Sequence, residues 1–289
     1  MGEFTTSLRY ASHLGYRSPE APLFQHSAQR PGPLAQVDLA AELGFVGVQY
    51  ALARSSSVAE QGAVAARLQH WGLATGCMVY APFEIIRKPY LCRPDALARE
   101  EFLHQVRAAI QVARRINSRQ VVVLAAADPQ IPQRAQMDAF IEQLRYAAEL
   151  AFQADVVLEL EGVSSPVLPP MILRRLDDML EVIQRVGNPN VRLIYDTAHV
   201  QAIDGDAAAH LRHVFEYVDV VQIADHPGRF EPGSGSVDFE SILTEVARRG
   251  FRGLVELEHA WSAQTAQGER EGLESFRRLD SRVRRRLMT

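Results

Sequence analysis

Short apolar or β-branched runs alternate along the chain with longer amphipathic stretches. The runs Leu8–Leu14, Val46–Tyr50, Leu73–Tyr80, Gln120–Leu124, Val156–Glu161, Val191–Tyr195, Val218–Ile223 and Leu254–Leu257 have the length and composition of buried strands. Between them the helical period runs over Leu34–Leu43, Val58–Trp71, the stretch from Asp95 to Ile116, Ala135–Phe152, Ile172–Val186, Ala207–Tyr217, Phe239–Arg249 and about Arg270–Leu287. Gly44 and Gly72 stop the first two helices, and Asp95 supplies a side-chain cap for the third. Proline-rich loops follow the first, third and fifth strands.

Eight strand–helix pairs in succession predict parallel strands joined by crossover helices. At 289 residues the count matches a single-domain α/β fold, a closed (β/α)8 TIM barrel over 1–289, for which ~250 residues is typical. An open doubly wound sheet would carry a glycine fingerprint after its first strand. The loop there reads ASHLGYRSPE and has none. No linker, repeat or low-complexity tract divides the chain.

Composition narrows the function. A net charge of -4 provides no basic field for nucleic acid. Lys88 is the only lysine among many arginines, which reads as genome composition. Cys77 and Cys92 are too few for a disulfide framework or a zinc cluster, and Cys77 lies in an apolar run that reads as core. The N-terminal stretch lacks an apolar h-region and no apolar run approaches ~20 residues. A cytoplasmic protein that binds neither membrane nor nucleic acid is expected.

In a barrel of this kind the chemistry sits at the C-terminal ends of the strands. Four polar side chains end or interrupt apolar runs there: Glu161 in VVLELE, Asp196 in VRLIYD, Gln222 in VVQIAD and Glu258 in LVELE. One such carboxylate is most simply a solvated strand end, but four such groups on successive strands point to a site. Three carboxylates converging in a low-dielectric mouth repel one another, and a divalent cation resolves the repulsion. An all-oxygen set favours Mg2+ or Mn2+ over zinc. Residues two apart share a face, so Glu159 and Glu161 both point inward, as do Glu256 and Glu258. Glu161 and Glu258 are nearer the rim and are the expected ligands; the sequence offers no reason for a second Glu beneath each. His199, three residues after Asp196, suits a substrate oxygen or a proton shuttle. Arg229 follows Gln222 in a Gly- and Pro-rich loop and offers a planar fork. His13 at the end of the first strand and His226 have weaker claims.

The run VQIADHPGRFEPGSGSVDF resembles the Q-I-A-D-x-P-G-R-x-E-P-G-x-G segment of the hydroxypyruvate isomerase family, within the xylose isomerase-like barrels. YDTAHVQAIDGD, LELEGV and GLVELEH resemble further segments of that family; the likeness is specific over about 161–260 and loose before it. It implies one divalent metal, Mg2+ or Mn2+, on Glu161, Asp196, Gln222 and Glu258. It further implies Glu161 and Glu258 as the acid/base pair, and substrate contacts from His199 and Arg229. The departures are Gln49 where the family has Glu, Ser164 where it has Asn, His13 where Asn is common, and Ser236 where an acidic residue follows the glycine.

The implied reaction is an aldose–ketose type isomerisation of a small hydroxy-carbonyl substrate, hydroxypyruvate to tartronate semialdehyde being the expected case. A ketose 3-epimerase or related sugar isomerase is the alternative, set second because epimerases of the family commonly carry His where Gln222 stands. An endonuclease-IV-like nuclease needs further metal-binding His from strands three and four, where this chain has Tyr80 and Ala125-Ala126-Ala127. A barrel that binds a sugar-like ligand without turning it over is the remaining rival. Many barrels of this group form homo-oligomers, and no stretch of this chain marks an interface.

Overall fold

The structure is a computed structural model that describes residues 4–165 and 168–289. Its strands are β1 (Arg9–His13), β2 (Gly47–Gln49), β3 (Ala74–Thr75), β4 (Met78–Val79), β5 (Gln120–Val123), β6 (Val157–Leu160), β7 (Val191–Asp196), β8 (Val218–Gln222) and β9 (Leu254–Glu256). They form one parallel sheet in the order β3-β2-β1-β9-β8-β7-β6-β5-β4. The two ends of this order are consecutive pieces of one extended stretch. Gly76 N–H donates to Val48 O (2.8 Å) and Val79 N–H to Ala51 O (2.9 Å), while β4 pairs with β5 on its other side. The sheet therefore closes on itself as a barrel, with the expected third strand split in two.

The split has a local cause. A Cβ on Gly76 would lie 2.2 Å from Oε1 of Glu256 and 3.0 Å from Gln49 Cα. Glu256 reaches across the interior into that space and accepts from Cys77 N–H (2.8 Å) and from the Cys77 thiol (2.9 Å). A carboxyl group takes up the backbone donor at the break, so the ladder is interrupted without leaving that donor unpaired.

Ten helices are found among the described residues. α1 (Pro33–Glu42), α2 (Val58–Trp71), α4 (Ala96–Ile116), α5 (Gln133–Gln153), α6 (Leu176–Val186), α8 (Ala207–Val214), α9 (Phe239–Arg248) and α10 (Ala266–Leu287) are the expected crossovers. Two short ones, α3 (Phe83–Ile86) and α7 (Thr197–Ile203), were not expected from periodicity, being too short to show a period. α6 begins four residues later than its apolar pattern, because Met171 first bridges Ala126 antiparallel. The crossover helices pack one stripe inward, as in α4, where Phe102, Val106, Ala109, Ala113 and Ile116 are buried.

The chain ends are tied together. Asp280 of α10 is fully buried and accepts from the N–H and hydroxyl of both Thr5 and Thr6 and from the Tyr10 hydroxyl. Replacing Asp280 with Ala leaves these donors without their acceptor. The variant is expected to lose about 3 kcal/mol of unfolding free energy, read from urea denaturation. An unchanged midpoint would show that this clamp contributes nothing.

Candidate active site

Alternate positions along the strands place two tiers of polar groups inside the barrel. In the lower tier, Glu256 holds the broken third strand. Glu159 lies fully buried, and neither carboxylate oxygen accepts a hydrogen bond from any described residue. Burial, and then the nearby Asp219 through its charge and a hydrogen bond that favours the protonated form, push its carboxyl well above the ordinary range. The upper tier lines a cavity of about 130 Å³ that contains Gln49, Cys77, Glu161, His199, Gln222, Arg229 and Glu258.

Each expected ligand is at the rim. Asp196 ends β7 and caps α7, accepting from His199 N–H at 2.8 Å. That cap turns the chain so that His199 faces back into the mouth, with Nε2 3.7 Å from Glu161 Oε1. Ser164 N–H donates to its Nδ1 at 3.1 Å. Glu258 Oε1 accepts from Gln49 (2.7 Å) and Gln222 (3.1 Å). Glu161 accepts no hydrogen bond from any described residue. Gln222 spends its amide N–H groups on Glu258, Glu256 and Cys77, leaving its Oε1 buried and without a partner among the described residues.

Arg229 occupies the centre of the group. Its Nη1 and Nη2 donate to Asp196 Oδ1 and Oδ2 (3.1 and 2.9 Å), and Nη2 also donates to Glu258 Oε2 and to Glu258 O. Nη1 lies 2.9 Å from His199 Nε2, and the buried Nε–H has no partner among the described residues. Burial works against this charge, but Asp196 and Glu258 hold Arg229 above its ordinary range. Burial would raise Asp196, and Arg229 and His199 bring it below the usual carboxylate range. Burial raises Glu161 well above it, helped by Glu258 and Asp196, and pushes Glu258 up to about 7. His199 is held down at about 4 by burial. The site is thus one fixed carboxylate between two carboxyls that readily hold protons.

Asp225 places Arg229, and sequence reading missed it although it lies in the quoted segment. Its buried carboxylate accepts from the backbone N–H groups of His226, Gly233, Gly235 and Val237 (2.8–3.0 Å). Arg229 itself sits at φ +55°, a conformation that costs a non-glycine residue about 1 kcal/mol. Its N–H donates to Asp225 O. Gly235 must be glycine, since a Cβ there would lie 2.2 Å from His226 O.

Other residues fall differently. Both ring nitrogens of His13 contact backbone groups, Nε2 at 3.0 Å from His259 O and Nδ1 accepting from Gly15 N–H at 3.0 Å. It lines a neighbouring cavity with His259 and Trp261, outside the one that holds Glu161 and Glu258. Cys77 is core, as expected, and also borders the cavity that holds Glu161 and Glu258. Tyr16, Arg17 and Arg87 line the mouth; they come from loops, where period and strand ends give no signal.

The donor set suits a cation. Glu161, Asp196 and His199 each present a ligand atom within 4.8 Å of the others. The unpartnered Gln222 oxygen and the unbonded Glu161 carboxylate are acceptors without donors, which a cation satisfies. Three carboxylates against one guanidinium leave two negative charges in excess when all are ionised.

A sequence model of the xylose isomerase-like TIM barrel family matches residues 37–279. The chain belongs to this family. Among related xylose isomerase-like and similar proteins, hydroxypyruvate isomerase of Escherichia coli is 28% identical over 82% of this chain and 91% of its own. A 2-oxo-tetronate isomerase of Pectobacterium atrosepticum is 25% identical over 79% of this chain and 87% of its own. Among solved structures, an AP endonuclease of family 2 from Brucella melitensis superposes with a TM-score of 0.76 at 23% identity, covering 90% of this chain and 96% of that one. That likeness speaks for the shared barrel.

Replacing Asp225 with Ala removes the anchor of the 226–237 loop of this xylose isomerase-like barrel. The variant is expected to lose about 2–4 kcal/mol of stability and to become cleavable by trypsin at Arg229 at temperatures where the parent resists. Resistance equal to the parent's would show that the loop is held by other contacts.

Proposed function

We propose that this barrel is a metal-dependent isomerase of small hydroxy-carbonyl compounds, acting on hydroxypyruvate to give tartronate semialdehyde. The observation that carries the reading is the contrast between Glu161 and Glu258. Both line one cavity from strands three apart around the barrel, and both are raised toward neutrality by burial. Glu161 accepts no hydrogen bond among the described residues, while Gln49, Gln222 and Arg229 hold Glu258 by both oxygens. Carboxyl groups tuned upward in this way suit proton transfer near neutral pH.

Glu161, Asp196, Gln222 and Glu258 would hold one divalent ion, Mg2+ or Mn2+, with His199 beside it. When bound, such an ion draws electron density from adjacent carbonyl and hydroxyl oxygens, which acidifies the carbon-bound proton and steadies an enediolate. One of the two glutamates removes the proton from the hydroxyl-bearing carbon, and a proton returns to the former carbonyl carbon. The hydroxyl proton passes to the other oxygen, so that the carbonyl moves by one carbon with no net gain or loss of atoms. The unpartnered Nε–H of Arg229 and the imidazole of His199 would hold the substrate's oxygens. Gln222, in the place where epimerases of the family commonly carry His, sets the ketose 3-epimerase reading second.

Glu161→Gln and Glu258→Gln are each expected to reduce hydroxypyruvate turnover and solvent deuterium uptake by at least about 10³-fold, with circular dichroism unchanged. Substantial residual exchange in either would remove that residue from the reaction.

Metal loading should also depend on pH. Glu258 gives up its proton through about 7, so a cation competes with that proton below this pH and not above it. Mn2+ affinity measured by calorimetry is expected to be about tenfold weaker at pH 6 than at pH 8, with protons released on binding at pH 6. An affinity constant across that range would mean that Glu258 is not a ligand. In the metal-free protein, the sign is opposite: stability from the raised carboxyl is full below about 4.5 and lost as pH rises through about 7.

A further inference from the structure

The wall of the active cavity has two unlike halves once the catalytic group is set aside. From β2 through the segment after β6, most of the remaining side chains are apolar, Ala51, Val79, Val122, Leu124 and Val163 among them, with Ser165 the polar exception. At the mouth stand Arg17, in the loop after β1, and Arg87, after α3. Arg229, the third arginine of the cavity, is committed to Asp196 and Glu258. Arg17 makes no ion pair among the described residues; its guanidinium lies 5.2 Å from the Tyr16 ring, whose centroid is 5.4 Å from the Arg229 guanidinium. Tyr16 thus spaces Arg17 away from the buried carboxylates and toward the opening.

We infer that Arg17 and Arg87 receive the carboxylate of a short hydroxy- or oxo-acid, whose hydroxy-carbonyl end lies between Glu161 and Glu258. This rests on the isomerase reading and adds to it the feature that selects the substrate. A guanidinium fork matches a carboxylate geometrically and bidentately. The mostly apolar half-wall gives the extra hydroxyls of a ketohexose few partners, and unpaired buried hydroxyls weaken binding. The cavity of about 130 Å³ is also well under the ~300–1,000 Å³ of pockets that take larger ligands. A three- or four-carbon acid meets all three conditions: an anionic end, a hydroxy-carbonyl end and little between.

Hydroxypyruvate and dihydroxyacetone differ only in carrying a carboxylate or a hydroxymethyl group, so they isolate this contact. Calorimetric binding of each to the Mn2+-loaded protein and to the Arg17→Ala/Arg87→Ala double variant tests it, with turnover followed separately. The parent is expected to bind hydroxypyruvate at least about tenfold more tightly than dihydroxyacetone, and the double variant to show a ratio near one. A ratio near one in the parent, or a preference that survives in the variant, overturns the assignment. Tighter binding of dihydroxyacetone phosphate than of hydroxypyruvate overturns it in favour of a phosphate. A preserved preference in the parent that the variant loses, without turnover of hydroxypyruvate, supports the anion site and instead sinks the isomerase reading.

Discussion

A single guanidinium shared among buried carboxylates is the contact on which the rest of this site depends. Asp196 and Glu258 lie on strands two apart, and Arg229 bonds both at once while touching His199. Without that charge the mouth of the barrel would hold three carboxyl groups at low dielectric with nothing to oppose them, and removing one partner of such a pair costs ~3–5 kcal/mol. With it, Asp196 stays ionised while Glu161 and Glu258 hold protons easily. The same lone pairs could therefore take either a divalent cation or protons, and the two would compete for them.

The surrounding architecture serves that contact at some local expense. Arg229 adopts a left-handed backbone conformation that its neighbours enforce, with the Asp225 carboxylate gathering four N–H groups of the loop. The third strand breaks so that Glu256 can be satisfied by Cys77 and Gln222 instead of adding a charge to the upper tier. Burial raises Glu256 as well, its bonds to Cys77 and Gln222 working the other way. Polar tiers inside the barrel are thus accommodated in different ways. Hydrogen bonds from Cys77 and Gln222 satisfy Glu256, whereas Glu159 accepts none from any described residue and is pushed toward its protonated form by burial and Asp219.

Much of this was legible in the sequence because it follows period and strand ends. The eight crossovers read correctly because each helix buries one stripe and each strand is an apolar run bounded by turn residues. Glu161, Asp196, Gln222 and Glu258 stood out because a polar group ending an apolar run is rare. What escaped is what depends on distance in space. Nothing near Gly76 in the chain tells that Glu256, 180 positions later, needs the volume of its missing side chain. Asp225 reads as one more loop acid until its four amide partners fold around it. His13 ends its strand as a catalytic residue would, yet both its nitrogens meet backbone groups. Ser164 departs from the family's Asn, but its contact with His199 is through the backbone N–H, which any residue but proline supplies.

Gln49 is the departure with the most physical consequence. The family's usual Glu at this place would set a further carboxylate against Glu258, with no N–H to offer it. The amide instead donates to Glu258 Oε1 at 2.7 Å and to the Cys77 sulfur at 3.3 Å. Exchanging a carboxylate for an amide removes one negative charge from the wall of a small cavity whose mouth carries Arg17 and Arg87. At the separations inside such a cavity each unit charge matters by several kcal/mol, of order 4 kcal/mol at 4 Å with an effective dielectric of about 20. The substitution therefore shifts the cavity's field toward accepting an anion while leaving all four expected ligands in place. Chemistry and selection would then be separable in this barrel: in the proposed reaction the carboxylates and Arg229 govern the carbon-bound proton, and the charge of the remaining wall governs which molecule brings it.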